Sequence, residues 1–410
     1  MRHQTQRPLK AAFVGIVAPD RPEYWNPVFS RAGNSAQLNI LKGLAAAGVD
    51  LSLVLSFLPT PSFPRAGGRL FVRGRRVALF DGCVARFLPF LNVRPLKQLS
   101  WGLAALACLI RWSIRERATR RVVLCYNLSY PPGVFIYLAA RLTGAAVVPI
   151  LFDVGWPIGS DLDSFSQRII YSMTKWLIPR VEGRVVITES IARDLAPGKH
   201  FLHVDGGIDP REVYLPPPRV TSERRELVLG YAGSLWPING IDIMLEAMRG
   251  IEDPGVRLRI AGGGMLAERV SREAAADSRI EYAGPLDPEQ IRTFIADCDV
   301  LLNIRRFSTL QTPYNFPSKL FEYFAAGKPV ISTPIAHLER EYGDYCFLLR
   351  QDSAPALIDV VRAVRKMDRY EVEAKGRSAL THVRMEKTWA QQGARMAAYL
   401  NGEVAGGVAS

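Results

Sequence analysis

At 410 residues the chain exceeds the roughly 250–300 at which a single hydrophobic core stops growing, so its length calls for two domains. An apolar fraction of 48% with 22% charged residues is that of an ordinary globular protein, and no run reaches the ~20 apolar residues needed to cross a bilayer. The net charge of +13 implies an anionic partner, and five scattered cysteines without a C-x-x-C pair read as reduced thiols, not as a zinc or disulfide framework.

The basic start leads into "AAFVGIVAPD", whose Pro-Asp end and missing small-residue cleavage site make it a first core strand instead of a secretory leader. Further strands are expected at "VDLSLVLSF", "RVVLCYN", "AAVVPILFD", "GRVVITES" and "HFLHV", then at "ELVLGYAGSL", "VRLRIAG", "IEYAG", "DVLLNI", "KPVIST" and "CFLLR". Helical patterns such as "NSAQLNILKGLAAAG", "GIDIMLEAMRGI", "PEQIRTFIADC" and "PALIDVVRAVRKM" separate most of them, and a last helix is expected over "EKTWAQQGARMAAYLNG". Apolar strands alternating with helices predict parallel sheets covered on both faces, in two sets. The expected boundaries are residues 1–210 for the first domain, a proline-rich linker over 211–225, a second domain over 226–385, and a helix and tail over 386–410. Two segments, "RPLKQLSWGLAALACLIRWSIRERATRR" and "SFSQRIIYSMTKWLIPRVEGR", mix cations with apolar residues. They read either as packed helices with wet cations or as contacts with an anionic leaflet, Trp101, Trp112 and Trp176 lying at the interface.

Open parallel sheets bind ligands beyond the carboxyl ends of their strands. The loops there, "APDRPEYWNPVFSRAGNSAQ", "WPINGID", "GGGMLAE" and "RRFSTLQTPYNFPSK", are rich in glycine, small hydroxyls and cations, which suits phosphate. The stretch "YNFPSKLFEYFAAGKPVIST" (Tyr314 to Thr333) is the most informative. With Asn315 or Phe316 as cap and Pro317 in the first turn, a helix is expected to run to about Ala326 and stop at Gly327, burying Leu320, Phe321, Phe324 and Ala325. That places Lys319 at the positive end of the helix, where cations are unfavourable. A wet face with an ion pair to Glu322 is the plain reading. Arg305 and Arg306 at the preceding strand end favour the other: a phosphate held by Lys319 and the Ser318 amide.

Here the sequence resembles retaining GT-B glycosyltransferases of family four. The resemblance extends in order through "RAGNSAQLNILKGLAAAGVDLSLV", "GRVVITES", "HFLHVDGGIDPREVYLPPP", "LGYAGSLWPINGIDIMLEAM", "LRIAGGG" and "IEYAGPLDPEQIRTFIADCDVLLNIRR". It implies an α/β fold of two Rossmann-like domains facing across a cleft, with a C-terminal helix able to cross back to the first domain. It also implies transfer of a sugar from a nucleoside-diphosphate sugar to a lipid-linked or polysaccharide-precursor acceptor, with retention and with neither metal nor cofactor. Glu322 would accept from ribose hydroxyls and Lys319 would neutralise the leaving diphosphate. Gly33, Gly233 and Ser234 would let backbone approach it, the turn from Gly284 to Leu286 would face the base, and Asn315 and Ser318 would complete the donor site. Lys319, Arg305 and Asp153 are the catalytic candidates. Three positions depart from the family pattern: Tyr314 stands where a first glutamate is usual, Ser234 with Asn239-Gly240 where cations are usual, and Phe152-Asp153 where His-Asp is usual. The expected location is the cytoplasm or the inner face of the membrane. Asp161 and Asp163 read as a helix cap instead of a metal-binding D-x-D. Two alternatives stay open: a catalytically silent sugar- or lipid-binding scaffold, and an NAD(P)-dependent dehydrogenase built on G-x-G-x-x-A at Gly262 to Ala267 with Glu281 beyond. Dispersed basic residues argue against nucleic acid.

Overall fold

Runs of buried Val, Leu and Ile bounded by Gly, Pro and Asp become parallel strands, and the amphipathic runs between them become the covering helices. The structure, a computed structural model, describes residues 7–26, 28–64, 69–94, 96–128, 131–153, 165–213, 226–307 and 312–406. Asp161, Asp163 and most of the expected linker lie outside these residues. The chain divides into two units, residues 1–205 with 389–410, and residues 206–388.

In the first unit the elements are β1 (Leu9–Gly15), α1 (Arg31–Ala46), β2 (Asp50–Ser56), β3 (Phe71–Val72), β4 (Arg75–Phe80), β5 (Cys83–Phe87), β6 (Phe90–Leu91), α2 (Leu96–Arg115), β7 (Arg120–Tyr126), α3 (Pro132–Thr143), β8 (Ala146–Leu151), α4 (Phe165–Leu177), β9 (Val185–Val186), α5 (Glu189–Leu195) and β10 (Leu202–His203). The main sheet runs β10-β9-β8-β7-β1-β2-β5-β4 and is parallel apart from its last pair. That antiparallel pair, β4 with β5, is a hairpin the strand–helix alternation does not anticipate. Its signal was present as Asp81-Gly82, the glycine at φ 79°, between two β-rich runs.

The second unit contains β11 (Leu227–Ala232), α6 (Ile241–Gly250), β12 (Val256–Ala261), α7 (Ala267–Ala276), β13 (Ile280–Gly284), α8 (Pro288–Ala296), β14 (Val300–Asn303), α9 (Lys319–Ala325), β15 (Val330–Ser332), α10 (Leu338–Tyr342), β16 (Cys346–Leu348), α11 (Ala354–Lys366) and α12 (Arg369–Glu386). Its sheet is wholly parallel in the order β13-β12-β11-β14-β15-β16, which is the doubly wound Rossmann order.

The expected last helix is broken. The chain leaves α12 at Glu386, and α13 (Trp389–Asn401) returns to the first unit. It lies directly on α1 because both helices present glycine at the contact. A Cβ on Gly43 would come within 2.2 Å of the Trp389 carbonyl, and one on Gly393 within 2.1 Å of the Gly43 backbone. The tryptophans also differ from expectation. Trp112 is buried and donates to Ser52 Oγ at 2.9 Å, and Trp101 stacks on Phe57 at 5.3 Å, leaving Trp176 as the exposed one of the three. No helix among the described residues is long and apolar enough to cross a membrane.

Candidate active site

In the second unit the strand order reverses between β11 and β14. Chains leave those two strands in opposite directions, so a crevice opens at their carboxyl ends. Gly233 and Ser234 follow β11 and Arg305 follows β14, so three expected site residues converge there for topological reasons.

Glycine makes this strand end passable. Past the end of β11 the pairing continues, with Gly233 N–H donating to Ala261 O at 2.8 Å, Gly262 N–H to Gly284 O at 2.7 Å and Leu235 N–H to Gly263 O at 2.9 Å. Gly262 adopts φ 133°, and a Cβ there would meet the Gly233 carbonyl at 1.8 Å. The G-x-G-x-x-A stretch is therefore occupied in packing two loops together. It follows β12, not the first strand of the unit, and Glu281, which a dinucleotide reading needs for ribose, holds Arg259 through two hydrogen bonds of 2.9 Å. The dehydrogenase alternative loses its ground.

Asn239 Nδ2 donates to Ser234 O at 2.8 Å and to Ser234 Oγ at 3.0 Å, fixing the loop after β11. The departure at position 239 thus has a structural task. Arg306 pairs with Asp242 in the first turn of α6, and its N–H donates to Ile238 O at 3.1 Å, so it tethers this loop as well.

Lys319 is the first residue of α9, later than the expected start, with Ser318 as a cap that makes no side-chain bond. The helix is seated by Leu320, Phe321, Tyr323 and Phe324, all buried, and it is followed by Gly327 at φ 66°. Tyr323, which is not among the residues expected to be buried, reaches into the sheet: its hydroxyl accepts from Ala232 N–H at 3.1 Å and lies 3.3 Å from Ala232 O. This clamp sets the helix against the end of β11. Lys319 then folds back over Gly233, with Nζ 2.9 Å from Tyr231 Oη and 4.4 Å above the ring centroid. A Cβ on Gly233 would sit 1.4 Å from that ammonium. The Tyr231 hydroxyl, whose proton burial holds firmly, donates onward to Ser234 O at 2.9 Å.

Two half-buried cations share this corner. Burial, reinforced by the Arg305 charge and opposed by Glu322, lowers the Lys319 pKa to about 8. Burial depresses Arg305 likewise. Arg305 is positioned by its own N–H, which donates to Thr333 Oγ1 at 2.9 Å. Among the described residues neither cation has an ion pair with a carboxylate, and two protons of the Lys319 ammonium find no protein acceptor. Placing two like charges out of water without a counter-ion is costly, and an anion in front of them removes the cost.

The sign of the resulting pH dependence follows. Between pH 8 and its ordinary value of 10.5, Lys319 binds a proton in the unfolded chain but not in the free folded one, so this group's contribution to stability rises with pH through that window. A bound anion restores the proton. Titration calorimetry with inorganic pyrophosphate in buffers of different ionisation enthalpy is expected to show proton uptake by Lys319 above about pH 8, absent in Lys319→Met. Uptake unchanged in that variant would mean the ammonium does not face the anion.

The remaining expected residues fall as follows. Ser318, the cap of α9, and Glu322 in its first turn are exposed, and Asn315 is half-buried just upstream. Leu286 lies in the turn after β13, two strands from Gly233 across the sheet, about 10 Å at the usual strand spacing. Tyr314 is buried, and Phe316 beside it stacks on His337 at 4.6 Å, so this segment packs as an aromatic cluster. Gly33 and Asp153 belong to the first unit. Gly33 is not a loop glycine: it lies in the first turn of α1, and its N–H donates to the capping Ser30 Oγ at 3.1 Å. That amide is engaged, which removes the expected reason for a glycine at this position. Asp153 is exposed past β8, its N–H held at 3.0 Å by the side chain of Asn127, itself at φ 47°. Tyr231 and Thr333, which hydrogen-bond Lys319 and the Arg305 backbone, were not anticipated.

Residues 226–366 match the family model for group 1 glycosyl transferases. The putative teichuronic acid biosynthesis glycosyltransferase TuaH of Bacillus subtilis (strain 168) is 25% identical over 220 residues, 50% of this chain and 53% of its own length, so the match spans about half of that curated relative. Among solved structures, HepE of Anabaena in complex with UDP is similar at a TM-score of 0.65 with 15% identity, covering 96% of this chain and 99% of that one. Sucrose-phosphate synthase from Thermosynechococcus elongatus is similar at a TM-score of 0.68 with 15% identity, covering 97% and 100%. At such identities the likeness shows the fold, GT-B with its two Rossmann-like domains.

Proposed function

We propose that the protein is a glycosyltransferase that moves a sugar from a nucleoside-diphosphate sugar to a hydroxyl of a lipid-linked or polysaccharide-precursor glycan of the cell envelope. One observation carries the reading: Lys319 and Arg305 are half-buried together over the glycine-lined end of β11 at the switch point, with no carboxylate in ion-pair contact among the described residues. The group 1 match over this unit and the UDP held by the similar Anabaena structure support it. In this reading the diphosphate lies against Lys319, Arg305 and the Ser318 amide, the Glu322 carboxylate accepts from ribose hydroxyls, and the base lies toward Leu286, with Gly233, Ser234 and Asn315 lining the path.

Transfer breaks the anomeric carbon–phosphate oxygen bond and forms one to the acceptor oxygen on the same face, the acceptor proton passing to the departing diphosphate. The two cations stabilise the charge that develops on the leaving oxygen, the role a metal or other cofactor would otherwise fill. Asp153 is assigned to the acceptor side. The reading places the protein in the cytoplasm or on the inner face of the membrane.

A thermal-shift panel of nucleotide sugars tests this. One donor is expected to raise the melting temperature, and Glu322→Ala to weaken its affinity about ten- to a hundredfold, the loss of charge-assisted hydrogen bonds of ~1.5–3 kcal/mol. Release of the nucleoside diphosphate in the presence of acceptor is the second readout. A donor response without release would make the protein a silent scaffold, and a response to NAD(P)H alone would overturn the reading.

A further inference from the structure

The solvent face of α2 carries a long apolar stripe, along with exposed Gln98, Arg111 and Arg115. Leu96, Leu99, Leu103, Ala107 and Ile114 recur on it at helical spacing, all exposed, with Leu103 at 55% and Ile114 at 61%. A surface helix normally carries polar residues there. The stripe continues at both ends. Near the start of α2, Leu91 N–H donates to Ser100 Oγ at 3.1 Å, and exposed Leu91 pairs across β6 and β3 with exposed Phe71. Alongside, α3 packs on α2 where Phe135 meets Gly102 and shows Leu138 and Leu142 to solvent, the latter at 65%. From α4, Trp176 makes an edge contact with Tyr137 at 5.9 Å and lies 4.4 Å from the Arg180 guanidinium.

The charge on these elements is one-sided. Helices α2, α3 and α4 contain no Asp or Glu, while Arg111, Arg115, Arg141, Arg168 and Lys175 are exposed on them. A protein partner of mixed charge would bring cations of its own against this single-signed surface. A dimer through this face would set these cations against their own copies. A bilayer with anionic headgroups compensates the cations at its surface and takes the Leu, Ile and Trp side chains at the acyl boundary.

We propose that the outer face of α2 and α3, with the adjoining β3–β6 pair and Trp176, docks on an anionic lipid bilayer. The surface belongs to the first unit, so this inference goes beyond the donor-site reading and does not depend on it.

The test is sedimentation of the full-length chain with phosphatidylcholine vesicles, with and without phosphatidylglycerol. Binding is expected to the anionic vesicles and to fall with salt. Arg111→Ala, Arg115→Ala and Arg141→Ala together are expected to weaken it about a hundredfold, at ~1 kcal/mol per cation. Leu103→Asp with Ile114→Asp should abolish it, and both positions are exposed enough to change without loss of fold, which an unchanged melting temperature will verify. Lys319→Ala should sediment as the parent does, separating this surface from the donor site. Equal binding to neutral vesicles, no binding at all, or binding unaffected by either set would overturn the proposal. So would concentration-dependent self-association abolished by Leu103→Asp with Ile114→Asp, which would make the face an interface between copies.

Discussion

Replacing Lys319 by alanine is expected to lower the rate of sugar transfer about 10²–10³-fold, the range seen when one preorganised stabiliser of transition-state charge is removed. The melting temperature of the free protein is expected to stay level or rise. The two directions share one cause. In the free protein the ammonium is half-buried beside Arg305 with a phenol as its hydrogen-bond partner, so deleting it relieves an unfavourable charge. In the proposed transfer the same charge would face the oxygen that gains an electron pair, and deleting it would expose that oxygen's full cost. Lys319→Arg is not expected to rescue, because a planar guanidinium cannot occupy the compact space above Gly233 that the ammonium fills. Steady-state rates and thermal melts on the same preparations read both effects. A fall in melting temperature with unchanged turnover would assign Lys319 to structure alone.

Lys319 stood out in the sequence through a local conflict, a cation at the wrong end of a helix, and conflicts of that kind are expected at functional sites. The partners of Lys319 were not legible. Tyr231 stands 88 positions away inside an apolar strand, where its spacing says only that it is buried. Its hydroxyl acquires a role when the clamp of Tyr323 on Ala232 brings α9 to the strand end. The Rossmann alternation of the second unit could be read because each of its strands is a continuous apolar run between turn residues. The β4–β5 hairpin was missed because its short strands, RRVALF and CVARF, carry exposed arginines beside their apolar residues and join without a helix between them. Gly33 was misread because a glycine near a helix start looks alike in sequence whether it sits in the loop or in the first turn. The difference is set by Ser30, which caps the helix three residues earlier and takes up the Gly33 amide.

Gly233→Ala is expected to reproduce the catalytic loss of Lys319→Ala without touching any charged residue. The added Cβ would lie 1.4 Å from Lys319 Nζ and 2.2 Å from Cε, and of the two groups in conflict the lysine end is the one that can move. The ammonium is therefore expelled from its place over Tyr231. The backbone also loses some stability, roughly 1–3 kcal/mol, because φ 154° is a conformation that a residue with a Cβ avoids. Gly262→Ala provides the contrast: its Cβ would strike the Gly233 carbonyl at 1.8 Å, backbone that cannot step aside, so the larger loss there is of folding itself. The decisive comparison is a double-mutant cycle on activity. If the glycine matters because it makes room for the ammonium, Gly233→Ala in a Lys319→Ala background should cost almost nothing further, since the group it displaces is already gone. Additive losses of two and then four orders of magnitude would mean that the two residues act separately, and that the space between β11 and α9 is not where the lysine does its chemistry.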